Sequence, residues 1–311
     1  MKKLERGKRR RENGRRTSLC GERRPLPVAG GVGAQAGFYL PRPLFFEELR
    51  KAFCAFMRSI FLNFHFLPEE TIRKGMKEIL GKYKIPNISI NEVYSRSLYA
   101  LRMGRRVDGG GLRSCVGPRP GESSVAEQAH RLHRRFKKMG LREKRVVLVD
   151  DILFGGESEQ FAIQVLEAFG RKVVKMVAGV AVGHGIQAMK KAGVSVEAAF
   201  TFPEVLDELC ERDFYVGAPF SGLPLIGEKD NTAMPYMLPW GRPHTLASIP
   251  RKLELAFSRF CISQSVALWE MVEESAGFPV RCENLPKGVP GFPARQRVAV
   301  ALRDVLARLG K

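Results

Sequence analysis

The stretch VVLVDDILFGGES, residues 146–158, sets two carboxylates, Asp150 and Asp151, directly after four apolar residues and follows them with Gly155, Gly156 and Ser158. Three chemistries put acids at the end of an apolar strand. In a nucleotide hydrolase they need a partner phosphate loop, GxxxxGK[ST], which the chain lacks. In a phosphorylated receiver domain they need a further aspartate one strand–helix unit later, and no Asp occurs between Asp151 and Asp207. The third chemistry also uses the glycines. Backbone N–H groups hold a phosphate where a tight turn feeds a helix N-terminus, because those donors are unsatisfied and the helix dipole is positive there. Gly155 and Gly156 allow close backbone approach, and Ser158 adds a hydroxyl donor. The acids then lie one sugar away, placed to accept hydrogen bonds from vicinal ribose hydroxyls. A ribose 5-phosphate fits the whole stretch.

Such residues need a scaffold. From Ser123 the chain is regular: a polar helix over SSVAEQAHRLHRRFKKMG ends at Gly140, and the strand RVVLVD follows. A helix from about Glu157 puts Phe161, Val165, Leu166 and Phe169 on one face and stops at Gly170. Next come the apolar run VVKMVAGVAV, the short helix IQAMKKAG, the strand SVEAAFTF and a helix over PEVLDELCERD (203–213). This alternation predicts an α/β class with a parallel sheet, whose ligands bind beyond the carboxyl ends of the strands.

Upstream, Leu49, Phe53, Phe56, Met57, Ile60 and Phe64 predict one helix, Pro68 opens a second, and NISINEVY (87–94) reads as a strand. Residues 102–121 contain DGGG, GPRPG and five arginines (Arg102, Arg105, Arg106, Arg113, Arg119), predicting a long mobile loop. The organisation expected is a basic, disordered tail and loop over 1–42, the α/β domain over 43–213, and a Pro/Gly-rich and helical accessory region over 214–311. That last region carries helices near 253–274 and from about Ala294.

The net charge of +20 is uneven: residues 1–24 hold eleven Lys or Arg against three Glu, a net of +8. Such a block repels itself. It suits a solvated tail, or a start placed too far upstream, better than a nucleic-acid arm, since no aromatic residue is interleaved for base stacking. The six cysteines form no CxxC or Cys/His pairing, so neither a zinc site nor a disulfide framework is signalled and a reducing cytoplasm is expected. The longest apolar segment, Phe53–Phe66, is interrupted by Arg58, Asn63 and His65, which excludes a membrane span there. The tail also lacks the apolar core of a secretion signal.

VVLVDDILFGGES resembles the phosphoribosyl pyrophosphate signature of type I phosphoribosyltransferases, a hydrophobic strand ending in two acids and a loop x-x-T-[TA]-G-x-[TS]. The segment AMKKAGVSVEAAFTFPEVLDEL (188–209) is similar to the later part of the orotate phosphoribosyltransferase branch, and the resemblance covers about residues 123–212. It implies a Rossmann-like core, Mg2+, and transfer of ribose 5-phosphate from phosphoribosyl pyrophosphate to a nitrogenous base with loss of pyrophosphate. Carried over by position, Asp150 and Asp151 hold the ribose hydroxyls, while Phe154, Gly155, Gly156, Glu157 and Ser158 wrap the 5-phosphate, mostly by backbone. Arg105 and Arg106, with Arg113, would neutralise the departing pyrophosphate beside a loop at VYSRSLYAL (93–101). No protein metal ligand is implied.

Two departures stand out. Phe154 and Gly155 replace residues that usually bring hydroxyls, and each neutral hydrogen bond lost weakens binding by about 1 kcal/mol. Glu157 sets a carboxylate beside a dianion. These departures keep open a non-catalytic regulator that senses phosphoribosyl pyrophosphate or a nucleotide and touches nucleic acid through residues 1–24. A homodimer is also left open. His130 and His133 lie one helical turn apart but amid arginines, and His184 is at a strand end. For Phe214, Tyr215, Tyr236, Trp240, Arg242 and His244, packing is expected before contact with a base.

Overall fold

The apolar run before the acid pair is the middle strand of a five-stranded parallel sheet. The computed structural model describes residues 18–21 and 43–310, except 96, 109–113, 120, 220, 227–231 and 286–287. In chain order come β1 (Ser18–Gly21), α1 (Pro43–Ile60), β2 (Phe64–Leu67), α2 (Glu69–Leu80), β3 (Asn87–Ser89) and β4 (Tyr99–Ala100). The hairpin β5 (Met103–Val107) and β6 (Ser114–Pro118) precedes α3 (Val125–Lys138). Then follow β7 (Arg145–Leu153), α4 (Glu157–Ala168), β8 (Lys172–Val182), α5 (Gly183–Lys191), β9 (Ser195–Phe202) and β10 (Asp207–Cys210). The remainder holds β11 (Leu223–Pro224), β12 (Ala233–Met234), α6 (Pro243–Leu246), α7 (Glu254–Ala276) and α8 (Val298–Arg308).

The main sheet has the order β4-β3-β7-β8-β9, all neighbours parallel. From β3 the chain moves outward to β4; from β7 it moves the other way through β8 to β9. The order therefore reverses between β3 and β7, which opens a crevice at the carboxyl ends of those two strands. Burial on both faces explains why Val146–Val149 of β7 are all apolar. Val147 and Val149 pack with Ile72, Met76 and Ile79 of α2 on one face; Val146 and Leu148 pack with Phe136, Ala162 and Met189 on the other. Helix α3 starts as the sequence suggests, on a capping box in which Ser124 and Glu127 satisfy each other's backbone amides.

Several expectations are corrected. Residues 18–21, expected in a disordered tail, form the centre strand of a three-stranded parallel sheet, β10-β1-β2; residues 1–17 and 22–42 lie outside the described residues. The Phe-rich helix stops at Ile60, because a turn at 62–63 redirects the chain into β2. The expected mobile loop over 102–121 is largely an antiparallel hairpin, its ends closed by the buried Met103 and Val107. The helix expected over 203–213 is instead β10 and a 3-10 turn (Glu211–Phe214), because β1 supplies a pairing partner. On α4 the buried residues are Glu159, Ala162, Ile163 and Leu166, whereas Phe161 is 36% exposed.

Helix α1 shares a core with the C-terminal region rather than with the main sheet. Phe53 stacks on Phe214 at 5.3 Å, Phe56 stacks on Phe260 at 4.2 Å, and the same cluster holds Trp269, Phe257, Val298 and Leu302. Phe214 and Tyr215 are buried there, and Tyr236 and Trp240 pack at its margin, as packing residues do. Among the described residues no helix is long and apolar enough to cross a membrane.

Candidate functional site

Asp150 and Asp151 lie in the last turn of pleat of β7, 5% and 8% exposed, and alternation sends their side chains to opposite faces of the sheet. Asp151 accepts from the Asn91 side-chain amide at 2.9 Å and from the Ile152 amide at 3.0 Å. Asp150 accepts from the Asp151 amide at 2.8 Å. Asp150 neighbours Glu159, the third residue of α4, which is only 3% exposed. Burial, and then the charge of Asp150, push the Glu159 carboxyl well above the usual carboxylate range.

The turn between β7 and α4 has the shape the glycines suggest. Gly156 sits at φ +92°, and a Cβ there would come within 3.0 Å of the Ala188 Cβ, so two independent constraints demand glycine. Helix α4 starts after this residue with no side-chain cap, so no N-cap side chain takes its first-turn amides. Ser158 is half-buried in that first turn. Phe154 does not take the role of a donor: its ring meets His184 edge-on at 4.8 Å. Gly155 lies against the Glu157 carboxylate, with which any Cβ at position 155 would collide. Close approach of α5 completes the turn, since a Cβ at Gly185 would be 2.5 Å from the Phe154 carbonyl oxygen.

The segment after β3 lies at the same end of the sheet. The Ile90 amide donates to the Val149 carbonyl at 2.8 Å, Asn91 reaches Asp151, and Arg73 of α2 donates to the Val93 carbonyl at 2.8 Å. Tyr94 is buried beside Gly179, where a Cβ would meet both Tyr94 and the Asp151 carbonyl. Asn91 and Tyr94 thus adjoin Asp151; Arg96, further along the stretch 93–101, lies outside the described residues. Arg102 ties this segment to the base of the hairpin through ion pairs to Glu92 at 3.2 Å and Glu122 at 3.0 Å.

The hairpin packs on α4. Its Arg106 donates to the Leu225 carbonyl at 2.8 Å, and Arg105 is exposed near Asp207, whose pKa its charge lowers against the effect of burial. Arg113 lies outside the described residues. Of the histidines, His133 bonds the Phe169 carbonyl at 3.0 Å and His130 packs on the Phe169 ring, so both meet the far end of α4. His244 pairs with Glu254 at 2.6 Å, beside a cavity of about 460 Å³ lined by accessory residues including Trp240 and Arg242.

Asn91 and Glu159 were not signalled by the motif. Asn91 was legible only as the residue following NISI, and Glu159 as one of several acids in a helix first turn. Among the described residues no group of three or more His, Cys, Asp or Glu could hold a metal ion.

No protein-family model matches the chain, and no curated protein matches it. Solved structures do match a segment of it. The orotate phosphoribosyltransferase of Aeropyrum pernix is 19% identical over 42% of this chain and 69% of its own, with a TM-score of 0.24. That of Mycobacterium tuberculosis, in complex with 5-phospho-alpha-D-ribosyl 1-diphosphate, is 14% identical over 42% of this chain and 70% of its own, with a TM-score of 0.24. Leishmania donovani UMP synthase is 19% identical over 43% of this chain, which spans 27% of that protein, with a TM-score of 0.25.

Proposed function

We propose that this chain transfers ribose 5-phosphate from phosphoribosyl pyrophosphate to a nitrogenous base. The observation that carries this is the pairing, at one topological switch point, of the two strand-end acids with the left-handed Gly156 turn that opens α4. The turn amides and Ser158 would take the 5-phosphate. Asp150 and Asp151 would accept from the ribose hydroxyls, fixing the sugar and favouring positive charge as the anomeric carbon becomes oxocarbenium-like. The base nitrogen's lone pair forms the new bond to that carbon while its bond to the pyrophosphate oxygen breaks, the electrons leave on pyrophosphate, and the base's N–H proton passes to solvent. The stretch 93–101 is the proposed pyrophosphate loop, a reading supported by Asn91 and Tyr94 adjoining Asp151. Arg105, Arg106 and Arg113 remain proposed counter-charges to it, with Arg106 released from the Leu225 carbonyl for that purpose.

A second reading, a non-catalytic sensor of phosphoribosyl pyrophosphate or a nucleotide, is favoured by one observation. At the turn, the Phe154 ring packs on His184 and the Glu157 carboxylate rests against Gly155, so neither position adds a side-chain donor to the backbone amides. Pyrophosphate release on mixing the protein with phosphoribosyl pyrophosphate, magnesium and a panel of nitrogenous bases separates the two. The enzyme reading expects release with at least one base and its loss, by a hundredfold or more, in Asp150→Asn/Asp151→Asn. Donor binding without consumption of any base would overturn catalysis and leave the sensor.

A further inference from the structure

The positive charge of the chain is not confined to its N-terminus. Residues 130–145 hold eight Lys or Arg against one Glu, a net of +7, and they form the latter part of α3 and the entry to β7. Helix α3 buries Val125, Ala129, Leu132 and Phe136 against the sheet. That leaves Arg131, Arg134, Arg135 and Lys138 exposed at i, i+3, i+4 and i+7, one stripe roughly 11 Å long. Beyond the helix, the exposed Arg142, Lys144 and Arg145 extend the stripe, and Lys172 of β8 joins it through its register with Arg145. The helix dipole accounts for the cations of the last turn, Arg135, Lys137 and Lys138, but not for the others. Of all these charges, among the described residues, only Arg145 has an ion pair, to Glu143 at 2.9 Å. Arg131 donates to the Ser123 hydroxyl at 2.6 Å and Arg135 to the Leu98 carbonyl at 3.2 Å, so both are braced by neutral acceptors and keep their full charge. Arg171, over the Phe136 ring at 4.4 Å, donates to the Glu143 carbonyl at 2.6 Å and ties the segment 142–145 to the helix.

We propose that α3 and the entry to β7 form a binding surface for the sugar–phosphate backbone of a nucleic acid duplex, recognised by charge without reading its sequence. A fixed row of guanidinium forks and ammonium groups is matched by a row of phosphates. A lipid surface fits less well, because the apolar face an interfacial helix would insert is buried here, and only Leu98 and Met139 are exposed at the margin. A single strand is held by stacking on exposed rings, whereas the rings at this surface, Tyr99 and Phe136, are buried beneath Arg135 and Arg171. The surface does not depend on the phosphoribosyl reading. Strand β7 begins in it at Arg145 and reaches Asp150 five residues later, roughly 17 Å along the strand, so a bound duplex leaves the crevice open.

The test is fluorescence anisotropy of labelled duplexes of about 20 base pairs, in two unrelated sequences, titrated with the full chain over a series of salt concentrations. Two variants lose the same charge in different places: Arg134→Gln/Lys138→Gln/Arg142→Gln on the folded surface, and Arg9→Gln/Arg10→Gln/Arg11→Gln in the N-terminal block. The surface variant is expected to bind on the order of a hundredfold more weakly at about 0.1 M salt, with the slope of log affinity against log salt reduced by about three. The N-terminal variant is expected to keep most of the affinity, and the two sequences to bind alike. All three surface positions are exposed, so the melting temperature is expected to hold; should it fall, Arg134→Gln and Arg142→Gln singly decide, each expected to lower the slope by about one. Equal losses from the two triple variants, a tenfold or greater preference between the sequences, or absence of duplex binding by wild type would overturn the proposal. So would a surface variant that binds duplex normally but no longer binds phosphatidylserine vesicles, which would assign the face to a lipid surface.

Discussion

At the scale of single residues, the turn meets one demand of the proposed phosphate cradle and works against another. Gly156 meets the geometric need: its φ of +92° and the Ala188 Cβ behind it leave no room for another residue. Glu157 works against the electrostatic need, because its exposed carboxylate rests where an anion would approach Gly155. Glu157→Thr removes that charge and offers a hydroxyl, so inorganic phosphate is expected to bind roughly three- to tenfold tighter, the scale of one hydrogen bond or one screened charge. Titration of both proteins with phosphate checks it; unchanged or weaker binding would mean that the carboxylate swings clear when the anion arrives. Asp150, Asp151 and Gly156 stand out in the sequence as candidates because type, order and spacing alone suggest a chemistry for them. Glu159 and Asn91 do not, since the partners that give them meaning are brought to them only by the crossovers of the sheet.

At the scale of elements, legibility followed the number of faces an element buries. Strands β7 and β8, covered on both sides, announce themselves by the apolar runs Val146–Val149 and Met176–Val182, and α3 announces its start by a capping box. Strand β10 does not, because P-E-V-L-D-E-L-C satisfies a helical period equally well and its partner β1 lies almost the whole domain away in sequence. The consequence falls on Asp207, the first residue of β10. Burial raises its carboxyl to about 6, against the opposing hydrogen bond from Ser248 and the charge of Arg105. A folded-state value above the unfolded one near 3.8 means that its contribution to stability is complete below about pH 4 and is lost as pH rises toward about 6. Asp207→Asn keeps an acceptor for Ser248 without the charge. Relative to wild type it is expected to gain on the order of 2 kcal/mol between pH 4 and pH 7. Urea midpoints at the two pH values measure this, and an equal pH response in both proteins would show that Asp207 is ionised without penalty.

At the scale of the whole molecule, the basic N-terminal block and the fold meet at β1. Residues 1–17 carry nine Lys or Arg against two Glu, a net of +7, and from Ser18 the chain enters the sheet between β2 and β10. The sequence shows the charge but not the strand, because four residues, SLCG, carry too little pattern to outweigh the polar block before them. Charge and structure can therefore be separated by where the chain is cut. Removal of residues 1–17 leaves β1 in place; thermal stability and phosphate binding are expected to hold, while the tail's own share of any salt-dependent affinity for nucleic acid is lost along with the cations that displace counterions. Removal of residues 1–21 also takes out the centre strand of a three-stranded sheet, leaving the ladder groups of β2 and β10 unpaired. The second truncation alone is expected to lower the melting temperature, by several degrees for each ~1 kcal/mol of ladder and packing lost. Equal melting temperatures for the two truncations would show that β1 adds nothing to the fold. Nucleic-acid binding undiminished by removal of residues 1–17 would place the whole contact on the folded surface.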